Sequence, residues 1–159
     1  MKKLSVLLTS TLFVLAACGG GSDTDLETAF CIGLGGAADA TIAASASPDG
    51  APTAPLGDLR VDVTLADLGG ENGGSIVYLP DEDGFFAFGL GADVELSIAD
   101  ASGNDVPIVK TVRGSAMCTE LAVRYTAELR AQPYTLTFGP TATATLPIVA
   151  EESDDDVTP

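Results

Sequence analysis

Histidine and tryptophan are both missing from this 159-residue chain, and aromatic residues of all kinds make up 6% of it. Without imidazole there is no Ser-His-Asp or Cys-His nucleophile system, no histidine metal ligand and no histidine pH switch. So few rings leave little for the stacking platforms on which carbohydrate and single-strand sites lean. Basic residues are scarce as well, Lys and Arg together numbering 7 against 23 Asp and Glu. Such an acidic surface repels phosphate backbones and anionic headgroups, which argues against nucleic acid as a partner and against electrostatic docking on a membrane. The apolar run near the start is also shorter than the roughly 20 residues that a permanent membrane span needs.

That run belongs to a different device. Met1-Lys2-Lys3 is a short basic head, Leu4 to Ala17 is apolar apart from Ser5, Thr9, Ser10 and Thr11, and small residues follow. Head, apolar core and small-residue exit make residues 1–17 a secretory signal segment. Leu15-Ala16-Ala17-Cys18 resembles the lipobox of bacterial lipoproteins, and Gly19-Gly20-Gly21-Ser22 is similar to the flexible tether that follows it. The resemblance implies cleavage before Cys18, a covalent lipid on its sulfur, and a protein held by that lipid in the bacterial cell envelope. Gly19 stands where an aspartate would signal inner-membrane retention, so the outer membrane is the expected site in a two-membrane source. Two or more acyl chains, at about 0.8 kcal/mol per buried methylene, anchor far better than one.

Loss of the signal removes Lys2 and Lys3 and leaves Arg60, Lys110, Arg113, Arg124 and Arg130 as the basic side chains. With Cys18 assigned to the anchor, Cys31 and Cys118 remain as an even pair in an oxidising compartment and are expected to form a disulfide. On a chain-entropy basis a loop of this length is worth about 4 to 5 kcal/mol.

Residues 18–57 read as a lipid-anchored tether and a Gly/Ala/Pro-rich segment. Within it Leu26 to Leu34 is a short strand or a helical turn, and Asp39 to Ser45 a short strand. From residue 58 to 150 the period changes to two. Leu59, Val61, Val63 and Leu65 alternate with polar residues; Phe86, Phe88 and Leu90 share a face, as do Val94, Leu96 and Ile98, and then Leu121, Val123, Tyr125, Ala127 and Leu129. Gly, Pro and Asp punctuate each break, and Pro107 assigns Val106 to Val112 to a sheet edge. About eight strands with no helical period among them predict an all-β fold, an antiparallel β-sandwich of jelly-roll or immunoglobulin-like type. Residues 151–159, rich in acids, read as a disordered tail.

Acidic turns are the candidates for a cation. Asp81 and Asp83 in one turn, with Asp100 and Asp105 in another, would supply oxygen ligands for Ca²⁺ if the two turns met, although aspartate is also a good turn residue in its own right. Tyr78 and Phe85 would form an apolar binding patch if both were exposed side by side. Nothing marks a catalytic carboxylate pair, so no enzyme and no resident cofactor beyond the lipid are expected. Phe85-Phe86-Ala87-Phe88, the strand Val94 to Ala99 running into Asp100-Ala101-Ser102-Gly103, and Tyr134-Thr135-Leu136-Thr137-Phe138 resemble the strand order of bacterial pre-peptidase C-terminal domains. That resemblance implies a small, non-catalytic sandwich module. The expected function is therefore a structural or protein-binding lipoprotein whose partner is an envelope protein or other envelope component. A calcium-dependent adhesion or ligand-binding module is the alternative.

Overall fold

The computed structural model describes residues 23–153. Cys18, the signal segment and the tail beyond Ser153 lie outside the described residues. One helix, α1 (Asp23–Gly35), leads into eleven strands: β1 (Ala40–Ala43), β2 (Val61–Thr64), β3 (Ala66–Asp67), β4 (Asn72–Tyr78), β5 (Gly84–Leu90), β6 (Leu96–Asp100), β7 (Asp105–Val106), β8 (Ile108–Arg113), β9 (Val123–Leu129), β10 (Tyr134–Thr141) and β11 (Thr145–Ser153). They form a six-stranded sheet in the order β1-β2-β11-β5-β9-β8 and a five-stranded sheet in the order β3-β4-β10-β6-β7. Every pairing is antiparallel except that of β1 with β2. The fold is the expected β-sandwich.

Alternation builds its core. Val61, Val63, Phe86, Phe88, Leu90, Val123, Tyr125, Leu129, Leu146 and Ile148 project from the six-stranded sheet. Ile76, Tyr78, Leu96, Ile98, Tyr134, Leu136 and Phe138 meet them from the other sheet, all buried in one apolar cluster. Pro107 falls between β7 and β8, where the chain leaves the edge of one sheet for the edge of the other. The proline lacks the N–H that a continuous ladder would need, so the single edge strand expected at Val106 to Val112 is two short ones.

Three expectations are corrected at the boundaries. The segment assigned to a tether is structured from Asp23 onward, because α1 and β1 both pack on the sandwich and Ser45 and Thr53 bridge to β4. Glu151, Glu152 and Ser153 are not tail: they extend β11 and pair with Ala87, Phe86 and Phe85. Leu59 precedes β2 and is exposed, so that strand starts at Val61.

The 13-residue helix is the largest departure from the sequence reading. Leu26, Phe30 and Leu34 recur every four residues, which puts them on one face of a helix. They are buried with Ala87, Leu121 and Val149 in a second apolar cluster on the outer face of the six-stranded sheet. Gly89 makes room for this contact. A Cβ there would stand 2.4 Å from Phe30 Cδ1, and a Cβ on Gly33 would stand 3.0 Å from Val149 Cγ2.

Substituting Gly89→Ala is expected to destabilise the protein by about 1–3 kcal/mol through overpacking against Phe30. In a Phe30→Ala background the same change should cost much less, because the obstructing ring is gone. Chemical denaturation of the double-mutant cycle measures the difference.

Candidate functional site

A dense set of polar contacts gathers at the start of α1. Asp23 accepts from Lys110 Nζ at 3.0 Å and from Arg124 Nη2 at 2.8 Å. Hydrogen bonding from Lys110 is the main cause holding its carboxyl below the usual range, with Arg124 acting in the same direction. One turn later Glu27 accepts from the Ser115 hydroxyl and from the Ala116 N–H, the latter at 3.0 Å. These bonds, that of Ser115 first, lower its pKa as well. Ser115 Oγ in turn accepts from Met117 N and Cys118 N at 2.9 and 3.1 Å. A further turn along, Cys31 is joined to Cys118 with a Cα–Cα distance of 5.8 Å, as the cysteine count predicted.

Arg124 alternates with the inward-facing Val123 and Tyr125, on the side of β9 that solvent would ordinarily wet. It is 5% exposed instead, because α1 covers that side of the sheet. Its Nε and the Thr126 hydroxyl, two residues along on the same face, are buried side-chain groups without a protein partner.

At one end of the five-stranded sheet, Tyr78, Tyr134 and Asp100 lie in register across β4, β10 and β6. The turns carrying Asp81 and Asp83 and the Asp100–Asp105 hairpin therefore leave from the same end. Their geometry is that of turns. Asp100 Oδ1 accepts from Ser102 N at 2.8 Å and Asn104 N at 2.9 Å, and Asn104 Nδ2 donates to Asp100 Oδ2 at 2.9 Å. The Asn104 side chain is the leading cause that keeps the Asp100 pKa low. Asp83 Oδ1 accepts from Ala131 N at 2.8 Å, fastening its turn to the neighbouring one. Asp105 is engaged through its backbone in pairing with Ala99, and Asp81 is exposed. Among the described residues no three His, Cys, Asp or Glu converge as a metal-binding group.

Tyr78 and Phe85 do not form a patch. Tyr78 is 4% exposed and packs edge-on against Phe86 and Phe88, with ring centroids 5.9 and 5.3 Å away. Burial, and secondarily Asp81 and Glu152, push its phenol upward. Phe85 is half-buried and lies on the opposite face of β5, between Ser153 and Glu128 in register. The period-two alternation that carries Phe86 and Phe88 inward turns Phe85 outward.

Clefts among the described residues include two beside the core. One of about 190 Å³ has Tyr78 and Phe86 at its base and Asp58, Asp81, Glu82 and Glu152 around it. Beside it Glu151 is half-buried, and its carboxyl is pushed up to about 7 by that burial, then by the charge of Asp58 and a hydrogen bond to it. Neither residue was singled out in the sequence, since their approach depends on β11 continuing past Ala150. The other cleft, about 380 Å³, opens between the sheets and is bordered by Glu95, Ser97, Thr111, Arg113, Tyr125 and Thr137. Tyr125 Oη donates to Val94 O at 3.0 Å behind it. Both clefts combine polar rims with apolar floors.

Together these features define a disulfide-braced, acidic antiparallel β-sandwich with a helix laid over one outer face. Neither a scan against protein-family models nor a search of curated proteins finds a match to the chain.

Glu151 supplies a pH test. Unfolded, it loses its proton near the ordinary glutamate value of 4.5, whereas the folded protein holds that proton to about 7. Across this window the folded state binds more protons, so this group's contribution to stability declines as pH rises. Glu151→Gln is expected to raise the melting temperature at pH 8 and to change it little at pH 5, as read by thermal melts at the two pH values.

Proposed function

We propose that the chain is a non-catalytic lipoprotein of the bacterial cell envelope, anchored by a lipid on Cys18 and acting as a structural or protein-binding module. The observation that carries this reading is the position of Cys18. It ends a lipobox-like Leu15-Ala16-Ala17-Cys18 and stands five residues ahead of a helix that is disulfide-bonded to the sandwich. A load on the anchor passes through α1 and the Cys31–Cys118 bond into the six-stranded sheet. No helix among the described residues is long and apolar enough to cross a membrane. In this reading, attachment is by lipid.

A partner of such a module is an envelope protein or another envelope component, reached in a two-membrane source from the outer membrane. The acidic surface favours partners with basic or neutral surfaces over nucleic acid. Edge strand β8 offers a backbone that an extended segment can pair with. The resemblance of β5, β6 and β10 to strands of pre-peptidase C-terminal domains agrees with a module of this kind, as does the use of Asp83 and Asp100 as turn acceptors.

Cys18→Ser is expected to move the protein from the membrane fraction to the soluble fraction with an unchanged melting temperature. Mass spectrometry of the wild-type mature protein should find acyl chains on an N-terminal cysteine. A Cys18→Ser form that stays with the membrane would contradict the proposal.

A further inference from the structure

The first described residue, Asp23, follows Cys18 by five positions, and five residues reach at most about 17 Å. Resting on the lipidation reading above, this keeps the N-terminal end of α1 close to the bilayer that holds the anchor. The side of the molecule bearing α1 also carries exposed apolar residues: Ile32 is 72% exposed, Met117 50% and Val112 36%. Ile32 and Met117 are neighbours. Thr28 Oγ1 contacts Met117 Sδ at 3.7 Å, and Thr28 and Ile32 are one turn apart on the same stripe of the helix. The Cys31–Cys118 bond joins the residues next to Ile32 and Met117. Val112 lies opposite Arg124 on β8, on the face where Arg124 meets Asp23.

Charge on this side is arranged differently from the rest of the surface. Arg60, Lys110 and Arg124, three of the five cations outside the signal, all bond to α1 or to the residue just beyond it. Arg60 donates to the Leu34 and Gly36 carbonyls, and Lys110 and Arg124 donate to Asp23. Asp23 and Glu27 are thereby engaged with the sheet and the Ser115–Met117 loop. Asp25 is exposed in the first turn, which favours a zwitterionic lipid surface over an anionic one.

We propose that the outward face of α1, with Ile32 and Met117 at its centre and Val112 toward the helix's N-terminal end, rests on the lipid surface next to the anchor. The five-stranded sheet then faces away from the membrane. An apolar spot this small does not hold a bilayer unaided, but tethering makes the contact intramolecular, at an effective concentration in the millimolar range.

Absence of tryptophan makes the test direct. Ile32→Trp, Met117→Trp and, on the opposite sheet, Leu68→Trp would each be made in the full chain, produced in a host that processes lipoproteins, and reconstituted into phosphatidylcholine vesicles with plain or brominated acyl chains. The Ile32→Trp and Met117→Trp proteins are expected to lose emission in brominated vesicles, because an interfacial side chain sits at the headgroup and acyl boundary. The Leu68→Trp protein should keep its emission. Protein that floats with the vesicles yet shows equal emission for Ile32→Trp in both lipids, or equal loss for Leu68→Trp, overturns the docking and leaves the anchor standing. Protein that fails to float overturns both.

Discussion

The structure turns on one row of residues across the outer face of the six-stranded sheet. Val149, Gly89 and Arg124 are in register on β11, β5 and β9, and Arg60, immediately before β2, continues the line. Helix α1 lies along it. A 13-residue helix is about 20 Å long and four strands span about 14 Å between the outermost axes, so the helix crosses all four. Arg60 satisfies carbonyls at its C-terminal end, where a cation suits the helix dipole, and at its N-terminal end Asp23 supplies the favourable anion while Arg124 ties it to the sheet. Between these ends, Phe30 occupies the space left by Gly89, and Val149 packs against Gly33. Overlap at either glycine would lift the helix from both of its end contacts.

This explains why a sandwich of two sheets has three layers over part of its area. The inner faces close on each other through ordinary period-two alternation, while the buried apolar cluster on the outer face of the larger sheet lies under α1. The disulfide and the Glu27 contacts hold the Ser115–Cys118 loop against the helix, which keeps Leu121 in the second cluster rather than in the main core. Asp23, Glu27, Cys31 and Arg124 thus act through one element. Under the lipid anchoring proposed above the consequence is mechanical, since Cys18 lies five residues ahead of a helix that is fastened to the sheet.

Strand alternation made the sandwich legible before any coordinates. Phe86, Phe88 and Leu90, then Val123, Tyr125 and Ala127, then Tyr134, Leu136 and Phe138 all face inward as their spacing requires. The Cys31–Cys118 bond was legible from the cysteine count, two remaining once Cys18 is set aside. Helix α1 was not, although Leu26, Phe30 and Leu34 sit at helical spacing behind Asp23 and Asp25 in the first turn. Three apolar positions among glycines and small residues carry a weak period, and the groove that gives them meaning is formed by Gly89 and Val149, far away in sequence. The burial of Arg124 and Glu151 was not legible for a related reason. Alternation assigns a residue to a face of its strand, but whether that face is wet depends on what another segment lays over it.

The account depends on α1 being an integral part of the folded body rather than a continuation of the tether. Amide hydrogen exchange followed residue by residue measures this directly. The amides from Phe30 to Leu34 are expected to exchange as slowly as those of β5 and β9, opening only with the sheet beneath them. Exchange at the rate of a frayed terminus, with β5 and β9 still protected, would contradict it.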